Sequence, residues 1–62
     1  MILLDVFIYK YLGEIAHFLI DGEHVFFKVL RNSNYILYEE LCDYEQREIS
    51  NHYFNDIYIR SD

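Results

Sequence analysis

The chain has no proline, no tryptophan, one cysteine, two glycines and five basic residues among 62. Each scarcity excludes something. Cys42 alone closes no intramolecular disulfide, so the extra stability a small fold needs must come from packing or a partner. That favours the cytosol. Five Lys and Arg against eleven Asp and Glu give a net charge of -6, whereas a binder of nucleic acid or anionic membrane needs a basic face. A basic partner fits better. Long apolar runs are missing too: a bilayer span takes about 18 consecutive apolar residues, while the longest such stretch, Ile15 to Ile20, has six and includes His17. A secretory leader is not expected, because Asp5 interrupts the opening Met-Ile-Leu-Leu and Lys10 follows.

What is present is grease and aromatic rings. Hydrophobic residues make up 53% of the chain, with seven Tyr and five Phe, so disorder is excluded. Residues 1–62 form one small domain at most, and a chain of this length buries only about 60% of the surface that it exposes when unfolded. More apolar side chains are present than one such core hides. Ile, Phe, Tyr and Asn, whose codons are rich in A and T, make up 24 of the 62 residues. With the small size, that composition is in keeping with a viral or mobile-element gene.

Period-two alternation and β-branched or aromatic residues over 2–11 predict a strand with Ile2, Leu4, Val6 and Ile8 on one side. Gly13 is free to take positive φ at the reversal that follows, and Glu14 to Ile20 reads as a second strand. Asp21-Gly22 between two such runs predicts a type I′ hairpin turn. The register follows: Ile20 faces Glu23, Phe18 faces Val25 and Ala16 faces Phe27, with Val29 beyond. That face is expected to be the core. The opposite face carries Ile15, His17, Leu19, His24, Phe26, Lys28 and Leu30 and is half polar. Asn32-Ser33-Asn34 ends the third strand, and Ser33 or Asn34 is placed to cap a helix. Helical stepping over 35–50 gathers Leu37, Leu41, Tyr44, Tyr38, Cys42 and Ile49 on one stripe, although Tyr35 to Tyr38 alone also reads as a strand. Ile57 and Ile59 around Tyr58 predict a short last strand. The fold expected is α+β, an antiparallel sheet of three or four strands with one amphipathic helix packed on one face. The second face, including Phe26, Leu19, Ile15 and Leu30, is left to solvent, a second copy or a target.

No catalytic signature emerges. His17 and His24 are diagonal neighbours on the hairpin, yet only His52 or Cys42 remain as further metal donors and neither has a recognisable spacing, so no metal or cofactor is expected. Cys42 on the helix stripe reads as apolar filler. Carboxylate pairs such as Glu39-Glu40 and Glu45-Glu48 have little wall around them for an enclosed pocket, and the chain is not expected to be an enzyme. The charge is polarised: residues 33–62 hold seven acids and two bases, against four and three in residues 1–32. On a helix, Glu39, Glu40 and Asp43 form one negative cluster, partly neutralised by Arg47, and the face is read either as a solubilising surface or as carboxylates standing in for phosphates. Tyrosines supply contact area at protein interfaces. The candidate partner-binding set is Tyr38, Glu39, Glu40, Asp43, Tyr44, Glu45 and Glu48.

A hairpin, an acidic helix and a last strand over residues 14–60, in an acidic and tyrosine-rich chain, resemble the small virus-encoded inhibitors that mimic DNA, such as the phage inhibitors of uracil-DNA glycosylase. The likeness is one of element order and composition. It shares no motif, and anti-CRISPR and anti-restriction proteins fit it equally well. It implies a non-enzymatic inhibitor in the host cytoplasm that blocks a basic nucleic-acid-binding groove of a host protein without touching nucleic acid or membrane itself. An antitoxin or immunity protein for a basic nuclease fits the same features. The alternative is a small assembly module that self-associates as a homodimer through an uncovered sheet face or an edge strand.

Overall fold

A computed structural model describes residues 1–60 of the chain, with side chains to residue 55. Four strands, β1 (Ile2–Tyr9), β2 (Gly13–Ile20), β3 (Glu23–Arg31) and β4 (Ile36–Glu40), form one antiparallel sheet in the order β1-β2-β3-β4, and the helix α1 (Asp43–Arg60) follows. The fold is α+β, as the residue pattern predicts. Its most local determinant is the β2–β3 turn, where Asp21 and Gly22 both take positive φ, 51° and 79°, as a type I′ turn requires. Phe18 pairs with Val25, Ala16 with Phe27 and Ile20 with Glu23, which is the expected register. The β1–β2 reversal is a turn in which the Leu12 N–H donates to the Tyr9 carbonyl at 3.0 Å, followed by Gly13 at φ 83°.

The third connection differs from the sequence reading. Asn32 ends β3, but it opens a hairpin rather than capping a helix: its N–H donates to the Tyr35 carbonyl at 2.9 Å, and its Oδ1 accepts the Asn34 N–H at 3.2 Å. Side-chain oxygens of Asn commonly hold turns in this way. Residues 36–40 then pair with β3, Tyr38 opposite Val29 and Leu37 opposite Leu30. The stretch therefore takes the strand alternative, because pairing satisfies backbone groups that β3 would otherwise leave open on that side.

The helix begins only at Asp43. Cys42, exposed rather than core filler, occupies its N-cap: the Gln46 N–H donates to the Cys42 carbonyl at 2.9 Å, and Glu45 Oε1 accepts the Cys42 N–H at 3.2 Å. This is the returning half of a capping box, and Asp43 and Glu45 also suit the positive end of the helix. Residues 57–59 continue the helix and form no last strand.

The two sheet faces exchange the roles expected of them. Tyr9, Ile15, Phe26 and Ile49 form the buried cluster beneath α1, with Phe7, Leu12, Leu41 and Tyr53 packed around it. The face read as half polar is thus the one the helix covers, because the helix brings polar partners to it. Tyr53 Oη donates to Asp5 at 3.2 Å, and the Gln46 amide clamps Phe26, its Oε1 accepting the Phe26 N–H at 2.9 Å and its Nε2 donating to the Phe26 carbonyl at 2.7 Å. Hydrogen-bonded and open pairs alternate along an antiparallel ladder, so the main chain of Phe26 points away from β2. Because β4 ends opposite Phe27, the Gln46 side chain stands where another strand residue would pair. Along β1 the register shifts between Leu3 and Asp5, and this bulge overturns the expected Ile2, Leu4, Val6, Ile8 stripe. Leu3, Val6 and Ile8 share a face, whereas Ile2 lies on the other.

Candidate functional site

The face turned away from α1 is apolar across all four strands. Leu3, Val6 and Ile8 of β1 lie beside Ala16, Phe18 and Ile20 of β2, then Val25, Phe27 and Val29 of β3, then Ile36 and Tyr38 of β4. Its centre is packed by its own neighbours: Ala16, Phe18 and Val29 are buried with Ile20 and Phe27 against them, and Phe18 meets Phe27 and Tyr38 edge to face, at centroid distances of 5.6 and 5.1 Å. Among the described residues, none from the helix joins this cluster. Its margins stay open, since Leu3, Val6, Ile8, Ile36 and Tyr38 are each 40–73% exposed. Contiguous apolar surface of this extent is uncommon on a monomeric domain.

Charge marks the two ends of the face. At the β1–β2 turn end, Arg31 grips Glu14 through two hydrogen bonds, Nε to Oε1 at 2.7 Å and Nη2 to Oε2 at 2.6 Å. Those bonds hold the Glu14 carboxyl below its ordinary value and raise Arg31. Lys10 lies in the adjoining turn. At the other end, Glu23, Glu40 and Asp43 line a shallow cleft of about 340 Å³ where β4 leaves β3.

The seven residues expected to bind a partner do not form one surface. Glu39 and Glu40 are consecutive strand residues and point to opposite faces, Glu40 opposite Phe27 and Glu39 opposite Lys28. No helical cluster of Glu39, Glu40 and Asp43 exists. Tyr38 is on the open face, while Glu45 caps the helix. Glu48 accepts the Tyr9 hydroxyl at 2.7 Å, and hydrogen bonding to Glu48 raises the pKa of both Tyr9 and Tyr44. Leu3, Val6, Ile8 and Ile36 of the open face lie outside the expected set. Alternation in β1 did signal Val6 and Ile8, but a single inserted residue and the helical reading of 35–50 concealed their neighbours.

His17 and His24 come together as their diagonal placement allows, with His17 Nε2 2.8 Å from His24 Nδ1. The sequence reading puts His17 on the half-polar face, and the structure covers that face with the helix, Tyr53 meeting the His17 ring at 4.7 Å. His17 is buried, stacked on Phe26 at 4.4 Å and 11°, and its Nδ1 has no hydrogen-bond partner. Burial, then the neighbouring His24, lowers its pKa, and Asp5 opposes them. Among the described residues no third His, Cys, Asp or Glu completes a metal site with the pair. Nor, among them, is any helix long and apolar enough to cross a membrane. No protein-family model, curated protein or solved structure matches this chain.

Proposed function

We propose that this chain is a non-catalytic assembly module that pairs with a second copy of itself through the open sheet face. The observation that carries this reading is the apolar surface spanning four strands, on which no described helix residue packs. Strands of eight, eight, nine and five residues, about 4.8 Å apart and rising about 3.3 Å per residue, give a patch on the order of 500 Å². Two such patches bury about 1,000 Å² in total, near the lower bound of specific interfaces. The sheet edges are poorer routes: β1 is bulged, and β4 is five residues long with two glutamates, both features that discourage edge pairing. Charge also favours a second copy. A two-fold axis across the strands sets the Lys10 end of one chain, where Glu14 neutralises Arg31, over the Glu23 and Glu40 end of the other. Packing face to face as a sandwich is a common way for sheets to bury such a surface. The exposed thiol of Cys42 fits a reducing cytoplasm.

Mixing isotopically labelled and unlabelled chains tests the contact. Magnetisation transfer between chains at Val6, Ile8, Phe27 and Tyr38 supports it. Transfer only between edge-strand amides, or none at millimolar concentration, removes it.

A second reading, an inhibitor that occupies a basic groove of a host nucleic-acid-binding protein, draws on the cleft where Glu23, Glu40 and Asp43 converge. A viral origin belongs to this reading. It requires that a basic host protein held by the immobilised chain be released by DNA, and be held less well by a variant with amides at those three positions. Retention that ignores both changes contradicts it.

A further inference from the structure

On the helix side of the sheet, away from the open face, Tyr9, Tyr11 and Tyr44 wall an open cleft of about 440 Å³ with Glu48 in its lining. Tyr9 and Tyr11 stand edge to face at 6.2 Å. Tyr9 is buried, whereas Tyr11 and Tyr44 present most of their surface. The Glu48 carboxylate is oriented by the Tyr9 hydroxyl at 2.7 Å. Glu48 raises the pKa of both Tyr9 and Tyr44, so the phenols stay protonated at neutral pH.

Such a lining selects its ligand by elimination. An anion meets a carboxylate and the electron-rich faces of tyrosine rings. A neutral apolar group leaves the carboxylate facing hydrocarbon, at a desolvation cost. A small hydrated cation gains little from the rings, because it must first give up its water. A cation with an apolar skin satisfies both, its methyl groups against the rings and its charge beside Glu48. The fold already uses one of these rings in this way: Lys10 Nζ lies 4.9 Å from the centroid of Tyr11.

We propose that the cleft formed by Tyr9, Tyr11, Tyr44 and Glu48 binds an alkylated ammonium group. The ligand class is a quaternary or trimethylated amine, whether a free small molecule or a methylated side chain. This site is separate from the sheet-face contact, so either stands without the other.

Titration of the intact chain with choline, followed by amide and tyrosine ring resonances, tests the site. Saturable shifts are expected at Tyr9, Tyr11, Tyr44 and Glu48, with none on the open face. The neutral isostere 3,3-dimethylbutan-1-ol, equal in shape but uncharged, is expected to bind about tenfold more weakly or worse, and so is choline to the Glu48→Gln variant. Tyr11→Leu is a second variant at an exposed position and is expected to weaken binding several-fold while leaving the fold intact. A trimethyllysine peptide binding more tightly than choline assigns the ligand to a side chain; the reverse order assigns it to a free amine. Absence of saturable shifts up to the solubility limit overturns the proposal. So does equal binding of choline and its neutral isostere, or choline binding unchanged in both variants.

Discussion

At the scale of single residues, the joint between helix and sheet depends on a side chain that reads as ordinary helix surface. Gln46 sits in the run Glu45-Gln46-Arg47-Glu48, and nothing in that run distinguishes it from a solvated position, because its partner is main chain 20 residues away. Gln46→Ala leaves the N–H and carbonyl of Phe26 without those bonds and is expected to cost about 1–3 kcal/mol in urea unfolding. Gln46→Glu keeps an acceptor but sets an oxygen against the Phe26 carbonyl, so it should not restore the loss. An unchanged midpoint for Gln46→Ala contradicts this role. His17 gives a second prediction. Burial and His24 hold its folded pKa below the ordinary 6.5, so the unfolded chain takes up the proton first as pH falls. The stability His17 contributes is therefore complete above about pH 6.5 and is lost as pH drops toward the folded value. His17→Phe should flatten this part of the stability profile. The loss from Glu14, whose pKa Arg31 lowers, should remain in its own window below pH 4.5. A profile unchanged in His17→Phe assigns the upper window to another group.

At the scale of elements, the two glycine turns were legible, whereas the Asn32 turn and the choice between helix and strand after it were not. Asp21-Gly22 fixed a register that holds pair for pair, because two adjacent positive-φ positions admit few residues and one twist. Gly22→Ala, which meets no neighbour within 4 Å, is expected to cost about 1 kcal/mol through backbone conformation alone. A midpoint unchanged within error contradicts that origin. By contrast, Tyr35-Ile36-Leu37-Tyr38 satisfies helical and strand spacing alike over so short a run. The open side of β3 decides between them, and that is a tertiary fact absent from the local pattern. The same decision moves Glu39 and Glu40 from one helical cluster to opposite faces of a strand. Which face the helix covers was hidden for a related reason. Apolar content favours the Phe18 face, but the helix supplies Gln46 to the Phe26 main chain and Tyr53 to the second oxygen of Asp5, whose first accepts the Val6 N–H.

At the scale of the whole molecule, an excess of apolar residues over available cover was legible in the composition, and part of it lies on the open face at Leu3, Val6, Ile8, Ile36 and Tyr38, with Ile2, Leu30 and Leu37 exposed on the other. A 62-residue chain without a disulfide gains stability from a partner that binds only the folded state, so its unfolding midpoint should rise with protein concentration. Charged substitutions at the exposed margin, Val6→Lys with Tyr38→Lys, touch neither the helix-side core nor any turn. They should separate the copies while leaving the circular dichroism spectrum of the α+β fold in place. The most direct measurement is sedimentation equilibrium of wild type and this double variant at micromolar concentration. Self-association through the face predicts a mass twice the chain's 7.6 kDa for wild type and the single-chain mass for the variant. A single-chain mass for both, or a dimer that survives the two lysines, contradicts it.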